Sequence, residues 1–374
     1  MLKKCGMMIC LMTLIGCGKA GDTSQDRPDL SDDAVSQKAT GPPSRKANVP
    51  PSRKAPRTKP LPERTAPAKT AKKPKPAPEK QSKKLTLEIV QLFLRGEKHQ
   101  GKQINTASYS TIEDAAAAEL TKHDKPVFLN GLVEISEPAA QSLAQIQSNL
   151  ALGLVDLSPP VAAELAKHKG FLSFNRLSDV SDSVAEKLGQ HQGGLFLSGL
   201  TELTETASEG LAKSTGVLAL NGLTKLTDRQ AEFFSMHKGD LHLNGLTKLT
   251  DRQAEFFSRH KGDLNLNGLS ALTASQATDL GQTEGGLMLK GIVALPEEVA
   301  AGLCQHPQTA GGSVVVLDGV TSLSDQAAVH FESIQCTFYL MGLVDFSDRA
   351  AQSLSKKKTL IQIQDQLRYR LKGK

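Results

Sequence analysis

The chain has 374 residues, of which 39% are hydrophobic, 22% are charged and 4% are aromatic, and it contains no Trp. So few aromatic side chains argue against several large conventional cores and favour many aliphatic side chains used repetitively. The formal net charge of +6 hides an uneven distribution: residues 1–84 carry 19 basic and 7 acidic residues, whereas residues 85–374 carry 26 and 32. The chain is therefore divided into a strongly basic N-terminal part and a mildly acidic remainder.

Residues 1–16 have the pattern of a secretory signal peptide. Two lysines precede an uncharged apolar run from Cys5 to Ile15, which is too short to span a bilayer as a helix, and the small residue Gly16 follows it. No later apolar run reaches the ~18 residues that a membrane-spanning helix needs, so we expect no transmembrane helix. The pattern predicts export from the cytosol.

The signal peptide ends in the sequence LIGC, with the cysteine at position 17, and this ending resembles the bacterial lipobox. The resemblance implies cleavage before Cys17, acylation of that cysteine, and a membrane-anchored lipoprotein of the bacterial cell envelope. Because Gly18 rather than Asp follows, it also favours the outer membrane. The alternative is an ordinary signal peptide in which Cys17 is incidental.

Residues 17–84 are predicted to form a disordered, extended tether. Of the 18 prolines in the chain, 12 lie between residues 18 and 84, and apolar side chains are sparse there. Residues 36–84 contain 15 basic and 2 acidic residues. This charge either keeps a spacer soluble and extended, or binds an anionic envelope polymer or lipid headgroups. We do not expect nucleic acid as a partner, because export takes the protein away from it. In addition, no aromatic residue interrupts the basic run to stack on bases.

The remainder of the chain is built from an internal repeat. Two neighbouring segments, Asn221 to Gly239 and Asn244 to Gly262, are identical except at one position. If the glycine after each strand is taken as position zero, most units are 23 residues long, one is 22 and one is 28. The equivalent residues are Ser108, Gly131, Gly153, Arg176, Gly199, Gly222, Gly245, Gly268, Gly291, Gly319 and Gly342.

Each unit is predicted to contain a strand, a turn and a short helix. Alternating residues such as Leu241, His242 and Leu243 indicate a strand with one buried face. Ser or Thr at position +5 is a helix N-cap, and Thr227 with Gln230 has the spacing of a capping box. Position +9 is Ala in ten of eleven units and +12 is always Leu or Phe, which predicts a helix packed closely on a sheet.

The pattern LxLxGLxxLTDxxAxxL over residues 104–364 resembles the leucine-rich repeat. The resemblance implies an α/β solenoid of about eleven repeats, right-handed, with a parallel β-sheet on the concave side and short helices on the convex side. Residues 85–103 are predicted to form an N-terminal cap, with an amphipathic helix ended by Gly96, and residues 365–374 a basic C-terminal tail.

The exposed strand positions are predicted to form a binding surface on the concave side. The middle residues of successive strands form one column along the sheet, which starts at Asn105. The residues immediately before the glycines form a second column beside it. Exposed aromatics among amides are typical of recognition surfaces. Alternatively, the Asn side chains satisfy turn hydrogen bonds and the Phe side chains contact only their neighbours. The predicted binding residues are Phe128, Asn130, Phe196, Asn221, His242, Asn244, Asn265, Asn267, Met288 and Tyr339.

Histidine recurs at position +15, usually followed by Lys and Gly. Because neighbouring helices lie ~8–10 Å apart and Zn–N bonds are ~2 Å long, a metal ion shared between units is not expected. We instead predict that these residues cap the helix C-termini, with the glycine in a left-handed conformation. The column comprises His123, His168, His191, His237, His260 and His306.

Cys304 and Cys336 end the predicted helices of consecutive units. In an exported protein they form either a disulfide or two buried free thiols. No fingerprint of a hydrolase, metalloprotease, phosphate-binding or dinucleotide-binding site occurs, so neither an enzyme nor a cofactor is expected. The sequence favours a lipid-anchored binding scaffold for a protein or polysaccharide; the alternative is a structural envelope spacer attached through its basic tether.

Overall fold

The computed structural model describes residues 83–309 and 312–372, which form a solenoid of stacked strand–helix units. The predicted signal peptide, Cys17 and the tether up to residue 82 lie outside the described residues. The strands are β1 (Lys84–Leu85), β2 (Thr111–Ile112), β3 (Val127–Leu129), β4 (Leu150–Leu152), β5 (Leu172–Ser173), β6 (Leu195–Phe196), β7 (Leu218–Ala219), β8 (Leu241–His242), β9 (Leu264–Asn265), β10 (Leu287–Met288), β11 (Val314–Val316), β12 (Ser322–Leu323), β13 (Thr337–Tyr339), β14 (Asp345–Phe346) and β15 (Ile361–Gln362).

The helices are short and alternate with the strands. They are α1 (Leu87–Leu94), α2 (Asp114–Leu120), α3 (Glu137–Leu143), α4 (Pro159–Leu165), α5 (Asp182–Leu188), α6 (Glu205–Ala212), α7 (Asp228–Ser235), α8 (Asp251–Phe257), α9 (Ala274–Leu280), α10 (Glu297–Leu303), α11 (Asp325–His330), α12 (Asp348–Ser355) and α13 (Asp365–Arg368). Short 3₁₀ helices occur at Thr106–Ser108, Phe331–Ser333 and Tyr369–Lys372. Among the described residues, no helix is both long and apolar enough to cross a bilayer.

Eleven strands form one parallel sheet in the order β15-β13-β11-β10-β9-β8-β7-β6-β5-β4-β3. Leu218 pairs with Leu241 and Leu241 with Leu264, so each strand residue pairs with the equivalent residue one 23-residue unit later. Strands in a sheet lie ~4.8 Å apart, whereas packed helices need ~8–10 Å, so the sheet lines the concave side and the helices line the convex side. The predicted fold class is therefore confirmed.

Each unit buries the inward side chains of its strand against its helix. Leu241 and Leu243 are fully buried on either side of His242, as the alternation predicts. On the following helix, Ala254 and Phe257 are also fully buried. A small residue allows the helix to approach the sheet, and a large one three positions later fills the space beside it.

Most helices begin directly after a predicted N-cap residue. Three of these caps form complete capping boxes, including Thr227 with Gln230. Ser158 occupies an N-cap without a side-chain bond, and Glu113 and Pro296 occupy caps that the Ser/Thr pattern does not include. Cap side chains accept a backbone N–H at Thr86, Ser136, Ser181, Thr204, Thr227, Thr250, Thr273, Ser324 and Ser347.

The two ends of the solenoid differ from the regular units. At the N-terminal end, α1 is followed by Gly96 at φ +72°, and β1 pairs in parallel with β2. Lys84, predicted as the last tether residue, is thus part of a strand. The strand predicted around Asn105 is wrong: Asn105 instead caps the 3₁₀ helix Thr106–Ser108 by accepting the N–H of Ala107 at 3.1 Å.

Candidate binding surface

The outward strand positions form a continuous column along the concave face, but their exposure varies. Phe128 is exposed at 42%, whereas Ala151, Ser173 and Ala219 are buried. Half-buried members of the column are Phe196, Asn265, Met288, Val316, Tyr339 and Gln362. The column is therefore open at its N-terminal end and partly open along its C-terminal half.

Three phenylalanines of the concave face, Phe128, Phe171 and Phe196, are together called the aromatic patch. Phe128 lies on β3, three strands away from Phe196 on β6. The rings of Phe171 and Phe196 lie 5.6 Å apart and are tilted by 60°. A Cβ atom at Gly194 would lie 2.7 Å from the Phe171 ring, so the glycine makes room for that ring. The prediction did not include Phe171, although it lies two residues before Ser173 and the period of two along a strand indicates the same face.

Arg176 lies at the edge of the aromatic patch. It occupies the position that is glycine in most units, and its Nη1 atom lies 3.5 Å from the carbonyl oxygen of Asn130. The side chain of Asn130 is exposed. None of the ion pairs among the described residues involves Arg176, so this guanidinium is available to a partner.

Three asparagines, Asn221, Asn244 and Asn267, form an asparagine ladder beside the middle column. The Asn221 Oδ1 atom accepts the backbone N–H of Asn244 at 3.1 Å, and Asn244 Oδ1 accepts that of Asn267 at 3.0 Å. Asn267 Oδ1 accepts the N–H of Lys290 at 3.0 Å. The amide nitrogens also bond within the ladder: Asn244 Nδ2 donates to Asn221 Oδ1 at 2.9 Å, and Asn221 Nδ2 donates to Ser198 Oγ at 3.3 Å. These side chains are therefore committed mainly to holding successive units together.

The centre of the concave face contains a buried imidazole near one carboxylate. His242 is only 4% exposed, which leaves it little surface for the predicted binding role, and its Nδ1 atom has no hydrogen-bond partner. Burial lowers the pKa of His242 to about 4, although the negative charge of Asp263 opposes this. Burial also raises the pKa of Asp263, whose Oδ1 accepts the N–H of Gly286 at 2.7 Å. At neutral pH this site is an uncharged imidazole near the side chain of Asp263.

The two cysteines are buried free thiols in the structure, which is the second of the two alternatives that their positions allowed. Burial raises the pKa of Cys336 to about 12 and raises that of Cys304 further, with a smaller contribution from Cys336. Because the thiolate is the reactive form, both groups are chemically inert in the folded protein. They are core residues and not part of the concave surface.

The histidines at position +15 do not cap their own helices with a left-handed glycine, as was predicted. Two of them instead bond to the C-terminal end of the preceding unit's helix: His191 Nδ1 lies 3.2 Å from the carbonyl oxygen of Ala166, and His237 Nδ1 lies 3.2 Å from that of Ala212. The glycines that follow them are not left-handed, since Gly96, Gly101 and Gly312 are the glycines with positive φ among the described residues. Burial lowers the pKa of the five buried members of this column, so at neutral pH they add no charge to a helix C-terminus. We call the five buried members the histidine ladder: His168, His191, His237, His260 and His306.

No group of three or more His, Cys, Asp or Glu side chains within residues 83–309 and 312–372 has an arrangement that holds a metal ion. The side chains that the concave face does present are aromatic rings, amides and an arginine. Such groups recognise a partner by stacking and hydrogen bonding.

Neither a protein-family model nor a curated protein matches the sequence. Among solved structures, an internalin from Listeria monocytogenes is similar over 69% of this chain and 74% of the internalin chain, at 15% sequence identity and a TM-score of 0.41. Because the TM-score and the sequence identity are low, the fold class rests on the strand order and 23-residue register of the chain itself. By those criteria, the described part of the chain is an α/β solenoid with a leucine-rich-repeat-like architecture.

Proposed function

We propose that this protein is a lipid-anchored, extracytoplasmic scaffold without catalytic activity, which binds a protein or polysaccharide through its concave face. The aromatic patch is the observation that carries this proposal. An aromatic side chain exposed to water loses the free energy that burial would give it, and Phe128 is exposed at 42% in a repeat that accepts small residues such as Ala151 at the same position.

The polar groups around the patch support recognition of a partner. The side chain of Arg176 is exposed, and its Nη1 atom donates to the backbone carbonyl oxygen of Asn130, whose own side chain is also exposed. Arginine and aromatic residues are the types that dominate the energy of binding interfaces. The asparagine ladder contributes less, because its carbonyl groups already bind backbone N–H groups.

The proposal is tested by crosslinking the full mature protein to its partner in envelope extract. A Phe128→Ala, Phe196→Ala double variant should lose at least about tenfold in crosslinking yield, because each truncated hot-spot side chain costs about 2 kcal/mol or more. Met236→Ala is the matched control, since Met236 is 63% exposed on the convex side. Equal yields from the double variant and the wild type would refute the role of the concave face.

The anchor is tested separately. A Cys17→Ala variant should leave the membrane fraction, because the lipid is proposed to be attached to that sulfur. Firm retention of this variant in membranes would contradict the lipoprotein proposal.

The second candidate function is an envelope spacer that attaches through its basic tether. The 15 basic and 2 acidic residues of segment 36–84 favour it. Deletion of residues 36–82, which stops before β1, should then weaken envelope retention in a Cys17→Ala background. If that deletion changes retention while the aromatic double variant behaves as the wild type, the spacer function is the correct one.

A further inference from the structure

The histidine ladder is an unusual feature of this solenoid. Five of the nine histidines of the chain lie in one column where the units stack, and each is at most 2% exposed. The rings of His168 and His191 are parallel within 3° at 6.2 Å, and those of His237 and His260 within 8° at 6.4 Å. Neutral rings tolerate this stacking, whereas two imidazolium ions at the same distance repel each other.

The ring nitrogens of one stacked pair have contrasting surroundings. His237 Nδ1 lies 3.2 Å from the carbonyl oxygen of Ala212, and its Nε2 lies 2.8 Å from that of Gly216. A neutral imidazole has one N–H and can donate to only one of these oxygens, whereas the protonated ring donates to both. Neither nitrogen of His260 has a hydrogen-bond partner. A proton at His237 thus gains a hydrogen bond, whereas a proton at His260 is favoured by the nearby backbone of Ser235 and Asp263 without a hydrogen bond of ordinary geometry.

The charged groups around the ladder do not offset its burial. Asp240 acts on His237 and Asp263 acts on His260, and both carboxylates favour protonation, while His237 opposes protonation of His260. His191 likewise opposes protonation of His168. Burial is the largest effect at every member; it lowers all five pKa values and brings that of His260 to about 4.

Further charges lie near the N-terminal end of the ladder. His168 lines a surface cavity of about 420 Å³ whose charged lining residues are Glu164, Lys167, Lys169 and Lys187. Glu164 pairs with Lys167 at 2.6 Å, so the net charge of this lining is positive. Positive charge opposes protonation of His168.

We propose that the histidine ladder is an acid-sensitive element that holds the repeats from α4 to α10 together while its rings are neutral and loosens them when it takes up protons. In the unfolded chain these histidines titrate near pH 6.5. Their folded pKa values are lower, so the unfolded chain binds more protons, and stability falls as the pH decreases below about 6.5. Each ladder histidine then raises the unfolding equilibrium constant by up to about tenfold per pH unit.

Asp263 has the opposite effect. Its folded pKa is raised, so it takes up a proton more readily in the folded chain and gains relative stability as the pH falls towards the carboxyl range. Measurements between about pH 7.5 and about pH 5.5 lie above that range and report mainly on histidine.

The test compares urea unfolding of the full mature protein at those two pH values with that of a His237→Thr, His260→Thr double variant. Threonine is the matched substitution, because Thr283 occupies the same position of the column and is fully buried. The ratio of unfolding constants between the two pH values should be up to about a hundredfold smaller in the double variant, since two histidines are removed. His330→Gln is the control for removal of a histidine outside the ladder, because His330 lies on α11.

Equal pH dependence in the wild type and the double variant would overturn the proposal. If the double variant does not fold, NMR titration of the wild-type imidazole signals gives the answer. Ladder signals that stay neutral to well below about pH 6.5, the ordinary value for histidine, support the proposal. Ladder signals that titrate at about pH 6.5 while the protein remains folded would overturn it.

Discussion

The hydroxyl of Thr250 donates a hydrogen bond to Oδ1 of Asp228 at 3.0 Å, and the two residues belong to consecutive repeats. The same hydroxyl accepts the backbone N–H of Gln253 at 3.1 Å, so one side chain caps its own helix and binds the preceding one. Equivalent hydroxyl–carboxylate pairs follow the convex side. They are Ser136 with Asp114, Thr204 with Asp182, Thr227 with Glu205, Thr273 with Asp251 and Ser347 with Asp325.

Thr250→Ala should therefore cost about 1–2 kcal/mol in the free energy of unfolding, because it removes a helix cap together with an inter-repeat hydrogen bond. Thr250→Ser should retain most of the stability. Urea denaturation measures both. Thr247→Ala is the control, since Thr247 is an exposed turn residue and its loss should change stability by no more than about 0.5 kcal/mol. A Thr250→Ala variant as stable as the control would show that the pair contributes nothing.

The features that could be predicted from the sequence are those set by residues a few positions apart. Thr227 and Gln230 are three residues apart, so their capping box can be read directly from the chain. The column of histidines is visible in the sequence, but its hydrogen bonds between units could not be predicted in this way, because His237 bonds to Ala212, which is 25 residues earlier. The glycine after it was assigned to a left-handed cap, but a Cβ at Gly239 would lie 1.9 Å from the carbonyl oxygen of Gly216.

The same distinction applies to the candidate surface. Alternation places Phe128 and His242 on the same face of the sheet, yet one is 42% exposed and the other is 4% exposed. Exposure on that face depends on how neighbouring side chains lean across the strands, which a single strand's sequence does not determine. The direction of a side chain was therefore predictable, and its accessibility was not.

Asn244→Ala should destabilise the solenoid by about 1–3 kcal/mol, because it leaves the backbone N–H of Asn267 without its acceptor. Asn244→Asp should be milder, since Asp318 serves the same purpose elsewhere in the chain by accepting the N–H of Met341 at 3.2 Å. Thermal unfolding gives the stabilities, and amide exchange at Asn267 reports the bond directly. Unchanged exchange in Asn244→Ala would contradict the scaffold role of this amide.

Gly245→Ala should also destabilise the fold, by about 1–3 kcal/mol, because overpacking forces the backbone to shift. A Cβ at Gly245 would lie 2.4 Å from the carbonyl oxygens of both Asn221 and Leu223. Arg176→Ala is the control in the same column, since that position already accommodates a Cβ. Urea midpoints of the two variants are compared, and equal midpoints would show that the close approach is not limiting.

Cys304 and Cys336 should resist alkylation in the folded protein at about pH 8, because only the thiolate reacts and burial raises both pKa values. Both should react rapidly once the chain is unfolded in guanidinium chloride. Mass spectrometry of the peptides, without reduction, measures each cysteine separately. Recovery of a crosslinked pair of peptides would show instead that the two sulfurs are bridged.

Arg370 should be the most sensitive residue at the C-terminal end. Its guanidinium pairs with Asp345 at 2.6 Å and Asp348 at 3.0 Å and lies 4.7 Å from the centre of the Phe346 ring, so it covers the last regular unit. Arg370→Ala should lower the urea midpoint and increase amide exchange in β14 and α12. Arg368→Ala is the control, because Arg368 pairs with Asp365 on its own helix and with Gln362 of β15, and not with Asp345 or Asp348. Arg370→Lys should restore only part of the stability, because an ammonium group cannot bind two carboxylates in the planar, bidentate manner of a guanidinium. Equal midpoints for the Arg370→Ala and Arg368→Ala variants would show that the last unit is closed by its buried leucines and not by this arginine.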